Sequence, residues 1–303
     1  METSSSPLTS FGKLLQRYLA VLLCLFGVGL LAVLLVRAFG STYTYHTAIV
    51  FFKTFAQPEF LVYLLVGFAA QMIDGALGMA YGISSSSFLM SVGVPPAVAS
   101  ASVHLAEVMT TGISGLSHWK LGNVDKKLFK KLIIPGMVGA GLGAYGLTSF
   151  QGETIKPYVA AYLLIMGVII ILKAFRKVTI FRAPQKIGWL ALLGGFVDAS
   201  GGGGWGPVVT STLVGTGNHP RSTIGTVNAV EFGVTLVASG VFTLLVGVDS
   251  WLVVAGLMVG GALAAPLGAY VCQKINLRLA MGLVGTIIIL LSLNTLITIF
   301  RGQ

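Results

Sequence analysis

His104, Glu107, Thr111, Ser114 and His118 recur at spacings of three and four, which places all five on one face of a helix. A carboxylic acid one turn from an imidazole can take up and release a proton, and hydroxyls along the same face can hold water or a polar solute. Glu107 lies ten residues into an apolar run at 97 to 118, about 15 Å along the helix. The pattern returns in part further on. Glu231 and Thr235 stand in the places of Glu107 and Thr111, with Asn228 for His104 and Phe242 for His118. A proton-handling role for Glu107, helped by His104, is expected, because an ionised carboxylate beside an anionic solute would repel it. His118, next to Trp119, reads as a helix-end residue.

A second constellation surrounds two glycine breaks. Asp74 precedes Gly75 and Gly78, and Asp198 precedes Gly201, Gly202, Gly203 and Gly204. A short helix is expected after each break, with its unpaired N–H groups and positive dipole end at the break. Tyr81 and Trp205 occupy equivalent places there, suited to gating. Ser84, Ser85, Ser86 and Ser87 follow in one copy, and Thr210, Ser211 and Thr212 in the other. Such N–H and O–H donors, with no Lys or Arg among them, suit a small oxyanion that must also be released. Asp74 and Asp198 either accept hydrogen bonds from the glycine loops and hold the breaks open or take part in coupling. Asp125 and Asp249 read as helix N-caps.

The elements that position these groups follow from composition. Of 303 residues, 55% are hydrophobic and 9% charged, far below the quarter usual in soluble domains. Lipid is the expected solvent. The net charge of +10 is spread between apolar runs and so does not indicate nucleic acid. Cys24 and Cys272 read as small buried hydrophobes. Runs long enough to span occur at 18 to 36, 97 to 118, 132 to 150, 157 to 172, 221 to 246, 251 to 271 and 279 to 300. Two glycine-interrupted pairs, 58 to 73 with 83 to 93 and 187 to 197 with 207 to 217, have short second members and read as re-entrant or broken helix hairpins, permitted where protein or a water-filled cavity surrounds them. With the N-terminus inside, 15 basic residues fall on inner loops and 4 on outer ones. That bias predicts a cytoplasmic N-terminus and an external C-terminus, and the compact size and lack of targeting features point to a plasma (inner) membrane.

Aligned at a separation of 124 positions, 74 to 125 meets 198 to 249 without a gap, pairing all four aspartates, Glu107 with Glu231 and Pro96 with Pro220; one residue later, Leu142 to Tyr145 meets Leu267 to Tyr270. The lysine-rich loop after the run at 97 to 118 falls inside and its counterpart outside, so the repeats are expected to be inverted, the arrangement that lets secondary transporters alternate access. The expected fold is an all-α polytopic membrane protein. Each inverted repeat carries one hairpin and three transmembrane helices, and one extra helix precedes them. The expected divisions are 1–57 for that helix and an external connection, 58–186 for the first repeat and a cytoplasmic linker, and 187–303 for the second repeat.

Asp74-Gly75-Ala76-Leu77-Gly78 before Pro95-Pro96, and Asp198-Ala199-Ser200-Gly201-Gly202-Gly203-Gly204 before Pro220, resemble the duplicated signature of the TauE/SafE family of sulfite exporters, over about 58 to 300. In the first copy Leu77, Met79 and Ala80 stand where the second has glycines. The resemblance implies movement of sulfite or a small organosulfur anion, without a cofactor. Beyond that anion, the expected partners are the bilayer, a coupling proton and a second copy of the chain. Two rivals remain: a divalent-metal permease using His104 and Glu107, and an intramembrane hydrolase, for which neither a His-Glu-x-x-His nor a Gly-x-Ser-x-Gly motif is present.

Overall fold

The computed structural model describes Lys53 and residues 57–77, 79–120, 122–175, 187–247, 250–271 and 277–301. The expected first span at 18 to 36, both cysteines and Asp249 lie outside the described residues. From Pro58 onward the chain forms one compact unit. Its elements, in order, are α1 (Pro58–Leu77), α2 (Tyr81–Ser91), α3 (Pro96–Lys120), α4 (Lys126–Thr148), α5 (Gly152–Phe175), α6 (Ile187–Gly201), a π-helical turn (Gly206–Thr210) running into α7 (Ser211–Gly215), α8 (Pro220–Leu245), α9 (Trp251–Val271) and α10 (Leu277–Arg301). Among the described residues there is no strand.

Among the described residues three helices are long and apolar enough to cross a membrane by themselves: Gly152–Phe175, Ser222–Leu245 and Met281–Arg301. Ile187–Gly201 and Trp251–Ala265 are shorter apolar helices. Seven spans were expected. Helix α4 shows why fewer stand out by hydropathy, since Lys126, Lys127, Lys130 and Lys131 occupy its first two turns. Asp125 caps that helix as expected, its carboxylate accepting from the N–H groups of Lys127 at 2.8 Å and Leu128 at 3.2 Å.

The hairpin boundaries are shifted from expectation. Gly75 does not stop α1, which runs on to Leu77, and the second members begin at Tyr81 and Trp205 rather than at 83 and 207. Gly93 and Gly217 close those members instead of lying inside them. With φ of 94° and 97° they adopt the left-handed conformation that ends a helix, and each N–H reaches back, to the carbonyls of Met90 and Val214. Pro96 and Pro220 then open α3 and α8 with a fixed φ and no N–H to satisfy.

Small residues let the helices approach. Helix α9 packs on α1 and α4 on α6. A methyl group on Gly256 would fall 2.6 Å from Tyr63 Cβ, and one on Gly143 3.0 Å from Phe196 Cα. These are the seams that tie membrane helices by close packing where no hydrophobic effect operates between them. Helix α8 crosses both α3 and α4, and α9 also touches α3. The polar face of α3 is thereby enclosed on the sides of α8, α9 and the two hairpins.

Candidate functional site

The two breaks are built alike. In each, the aspartate in the last turn of the first member accepts a hydrogen bond from the backbone N–H that opens the second: Tyr81 N–H to Asp74 Oδ1 at 3.5 Å, and Trp205 N–H to Asp198 Oδ1 at 2.9 Å. A helix N-terminus carries positive partial charge and unpaired donors, so a carboxylate is stabilised there. The second break is tightened by Gly203 N–H donating to the Asp198 carbonyl at 2.8 Å. Gly202 and Gly203 have φ of 72° and 140°, and Ala80 takes 114° without being glycine.

The breaks touch. Methyl groups built on Gly82 and Gly203 would each lie within 2.8 Å of the other residue's Cα, so bare backbone meets bare backbone. Ser86 Oγ donates to the Gly202 carbonyl across the same contact. Tyr162 OH, from α5, donates to the Gly203 carbonyl at 2.6 Å. Below that hydroxyl lies a largely apolar cavity of about 290 Å³ bordered by Tyr158, Tyr162, Phe196 and Ser200.

The α3 stripe faces this junction. A methyl on Gly82 would fall 3.2 Å from Glu107 Oε1, while Glu107 Oε2 is buried and has no hydrogen-bond partner among the described residues. Thr111 Oγ1 donates to the Glu107 carbonyl at 2.6 Å. His104 is fully buried. Its expected partner was Glu107, but Nε2 lies 3.1 Å from Asp198 Oδ2, joining the α3 stripe to the second break. Its Nδ1 lies 2.8 Å from the Ser100 carbonyl, and Ser100 Oγ donates to the Ala199 carbonyl at 2.8 Å. Both ring nitrogens thus face oxygen acceptors.

The remaining expected residues are placed as follows. Tyr81 and Trp205 are buried and anchored by their polar atoms, Tyr81 OH to the Leu257 carbonyl at 3.0 Å and Trp205 Nε1 to that of Val227 at 3.2 Å. The oxygens of Ser84, Ser85, Ser87 and Thr210 are buried without hydrogen-bond partners among the described residues. Gly204 sits against Tyr162 and Val197. Asn228 uses Nδ2 on the Ile224 carbonyl, and its Oδ1 receives Ser114 Oγ at 3.4 Å. Glu231 is half-buried and within electrostatic reach of Asp74, Glu107 and Asp198. Among the described residues no group of three His, Cys, Asp or Glu side chains is placed to hold a metal ion.

Three participants escaped sequence reasoning. Ser100 lies one turn before His104 and extends its stripe, a legible signal. Tyr162 is a lone hydroxyl in an apolar run. Lys173, counted as a loop charge, turns inward from the last turn of α5: Nζ donates to the Pro207 carbonyl at 2.8 Å and to Ser211 Oγ. Ser211 Oγ also donates to the Pro207 carbonyl, in the π-helical turn. The expectation that no cation attends the hairpins is corrected on this point, because a Lys near a helix end can direct its stem either way along the helix surface. Among the described residues no carboxylate forms an ion pair with Lys173.

Comparison with known proteins places this architecture. The family model described as "Sulfite exporter TauE/SafE" matches residues 63–295. A protein of Bacillus subtilis (strain 168) named "Probable membrane transporter protein YtnM" is 44% identical over 250 residues, covering 79% of this chain and 83% of that protein. No solved structure matches the chain significantly.

Proposed function

Because the chain belongs to the sulfite exporter TauE/SafE family, we propose that it moves sulfite or a related small organosulfur oxyanion across the plasma membrane by alternating access between two inverted repeats. It is a multi-pass membrane transporter, not an enzyme. The observation that carries the reading is the contact of the two breaks, Gly82 on Gly203, beside Glu107 and the His104–Asp198 pair. Discontinuous helices meeting at a repeat interface are where secondary transporters bind their cargo.

The donors there suit an anion. Among the described residues, buried hydroxyls on Ser84, Ser85, Ser87 and Thr210 have no hydrogen-bond partner, and Lys173 supplies a cation with no carboxylate in ion-pair contact. Carboxylates occupy both helix N-termini, so an arriving anion competes with Asp74 and Asp198 for them. Protonation of Glu107 relieves the repulsion, and binding of the anion is thereby tied to a proton. We place the N-terminus and the lysine-rich loop in the cytoplasm, on the charge bias. A divalent-metal permease would need a nitrogen of His104, and both are turned to oxygen acceptors.

The melting temperature of the purified protein against a panel of anions and cations tests the reading. A ligand at a hundred times its dissociation constant adds about 2.7 kcal/mol of stability. Sulfite or a sulfonate is expected to stabilise and chloride is not. Changing Lys173 to methionine is expected to weaken that anion's binding roughly tenfold, the scale of one charge-assisted hydrogen bond. Stabilisation by zinc or nickel alone, lost in His104→Ala, would favour the metal permease and defeat the anion reading.

A further inference from the structure

The cavity of about 290 Å³ adjoins the second break on the side of α4 and α5. It runs between the last turn of α4, with Gly146 and Leu147, the first two turns of α5, with Ile155 and Tyr158, and the last turns of α6, with Phe196 and Gly201. Its inner end is the break itself. A methyl on Gly201 would run into the Tyr162 ring, and one on Gly204 into the Tyr162 hydroxyl, so the ring lies directly on the glycine run. The outer end lies by Phe150 and Tyr158, which are both exposed.

The wall of this cavity offers little to a bare anion. The hydroxyls nearest the break are already committed, Tyr162 OH to the Gly203 carbonyl at 2.6 Å and Ser200 Oγ to that of Phe196 at 2.7 Å, and each has a single proton to donate. Leu147, Phe150, Ile155, Val159 and Phe196 present apolar surface. A sulfite ion entering this space would leave water without gaining donors to replace it, which is costly. A hydrocarbon group gains by the same move. A cavity of about half this volume with a similar lining stays dry and binds benzene.

We infer that this cavity is the subsite for a hydrocarbon body on the substrate, so that the preferred cargo is an organic sulfonate carrying a short alkyl or aryl group rather than inorganic sulfite. The inference rests on the oxyanion reading above and narrows it. The oxyanion head sits at the breaks, and the body extends past Tyr162 toward the α4–α5 turn. Continuity selects this occupant: Tyr162 and Gly201 belong both to the cavity wall and to the break, so one small molecule touches both. Gly146 marks the space that the body fills, since a methyl there meets no atom within 4 Å.

Titration calorimetry of the purified full chain with sulfite and with methane-, ethane-, propane- and butanesulfonate tests this. Affinity is expected to rise about fourfold for each added methylene, roughly fiftyfold from methanesulfonate to butanesulfonate, the gain for hydrocarbon leaving water. n-Butylammonium, with the same body and no oxyanion, is expected not to bind. Gly146→Leu, which also favours the helix, and Val159→Phe fill the cavity from α4 and from α5, and each is expected to abolish the rise along the series; if one does not fold, the other decides. A rise that persists in the filled variants, or butylammonium binding as tightly as butanesulfonate, would overturn the inference. So would binding of sulfite and methanesulfonate with no rise along the series, a result that leaves the oxyanion reading intact and the cavity to acyl chains of the bilayer. If neither sulfite nor any sulfonate binds, the oxyanion reading falls and the subsite with it.

Discussion

Gly203→Ala is expected to cost roughly 2 to 6 kcal/mol of stability and to abolish transport, the sum of a strained backbone and an overpacked contact. Its φ of 140° disfavours any side chain, but strain alone is survivable, since Ala80 holds 114° at the other break. The contact decides. A methyl on Gly203 falls 2.8 Å from Gly82 Cα, backbone that cannot rotate away, and the two breaks must separate. Gly202→Ala is the control. Its methyl would meet the Ser86 side chain, whose Oγ can turn away at the loss of its bond to the Gly202 carbonyl, and the remaining contact with Ser86 Cβ at 2.8 Å needs a smaller shift than the one at Gly203, where the Gly82 carbonyl carbon lies 2.5 Å away. Melting in detergent and flux in vesicles should therefore rank Gly202→Ala above Gly203→Ala. Equal behaviour of the two would mean that the breaks do not depend on each other.

Asp198→Asn is expected to destabilise by about 3 to 5 kcal/mol, the cost of leaving one partner of a buried pair uncompensated. Asparagine can still accept from the Trp205 N–H, so the break itself keeps its cap and the loss reports the bond to His104. His104→Asn, the residue found at the matching position 228, removes the other partner. The double variant is expected to recover part of the loss, because neither charge is then stranded. A thermal-stability cycle over the four proteins measures the coupling. Strict additivity would show that His104 and Asp198 merely sit close together.

The large elements were readable in the sequence because lipid imposes long apolar runs, and the two breaks because rare acids recur in register before glycines. Both aspartates hold their breaks as the helix-turn chemistry of Asp implies. Asp125 caps α4 for the same reason. What could not be read is partnership across the halves. Nothing in the spacing of the α3 stripe says that His104 reaches Asp198 on α6 rather than Glu107 on its own helix, or that Glu107 abuts Gly82. Those choices depend on how α8 and the hairpins pack against α3. Tyr81 and Trp205 are bulky and adjoin the breaks, which suggested gates, but polar-atom anchors to α9 and α8 hold both rings in the core. Phe242, aligned with His118 in the sequence, instead packs against His104 with ring centroids 5.8 Å apart and the rings tilted by 48°, a contact that sequence alignment alone does not reveal.

Proton-linked sulfite movement in proteoliposomes, wild type against Glu107→Gln, tests the central proposal most directly. Radiolabelled sulfite is followed with and without an imposed pH gradient. Wild type is expected to accumulate sulfite in response to the gradient. Glu107→Gln, which keeps the side chain's shape but cannot exchange a proton, is expected to bind sulfite and yet lose roughly a hundredfold of the gradient-driven rate, the lower end of the range for a removed proton-transfer group. Gradient-driven flux at the wild-type rate in Glu107→Gln would contradict Glu107 as the carrier of the coupled proton.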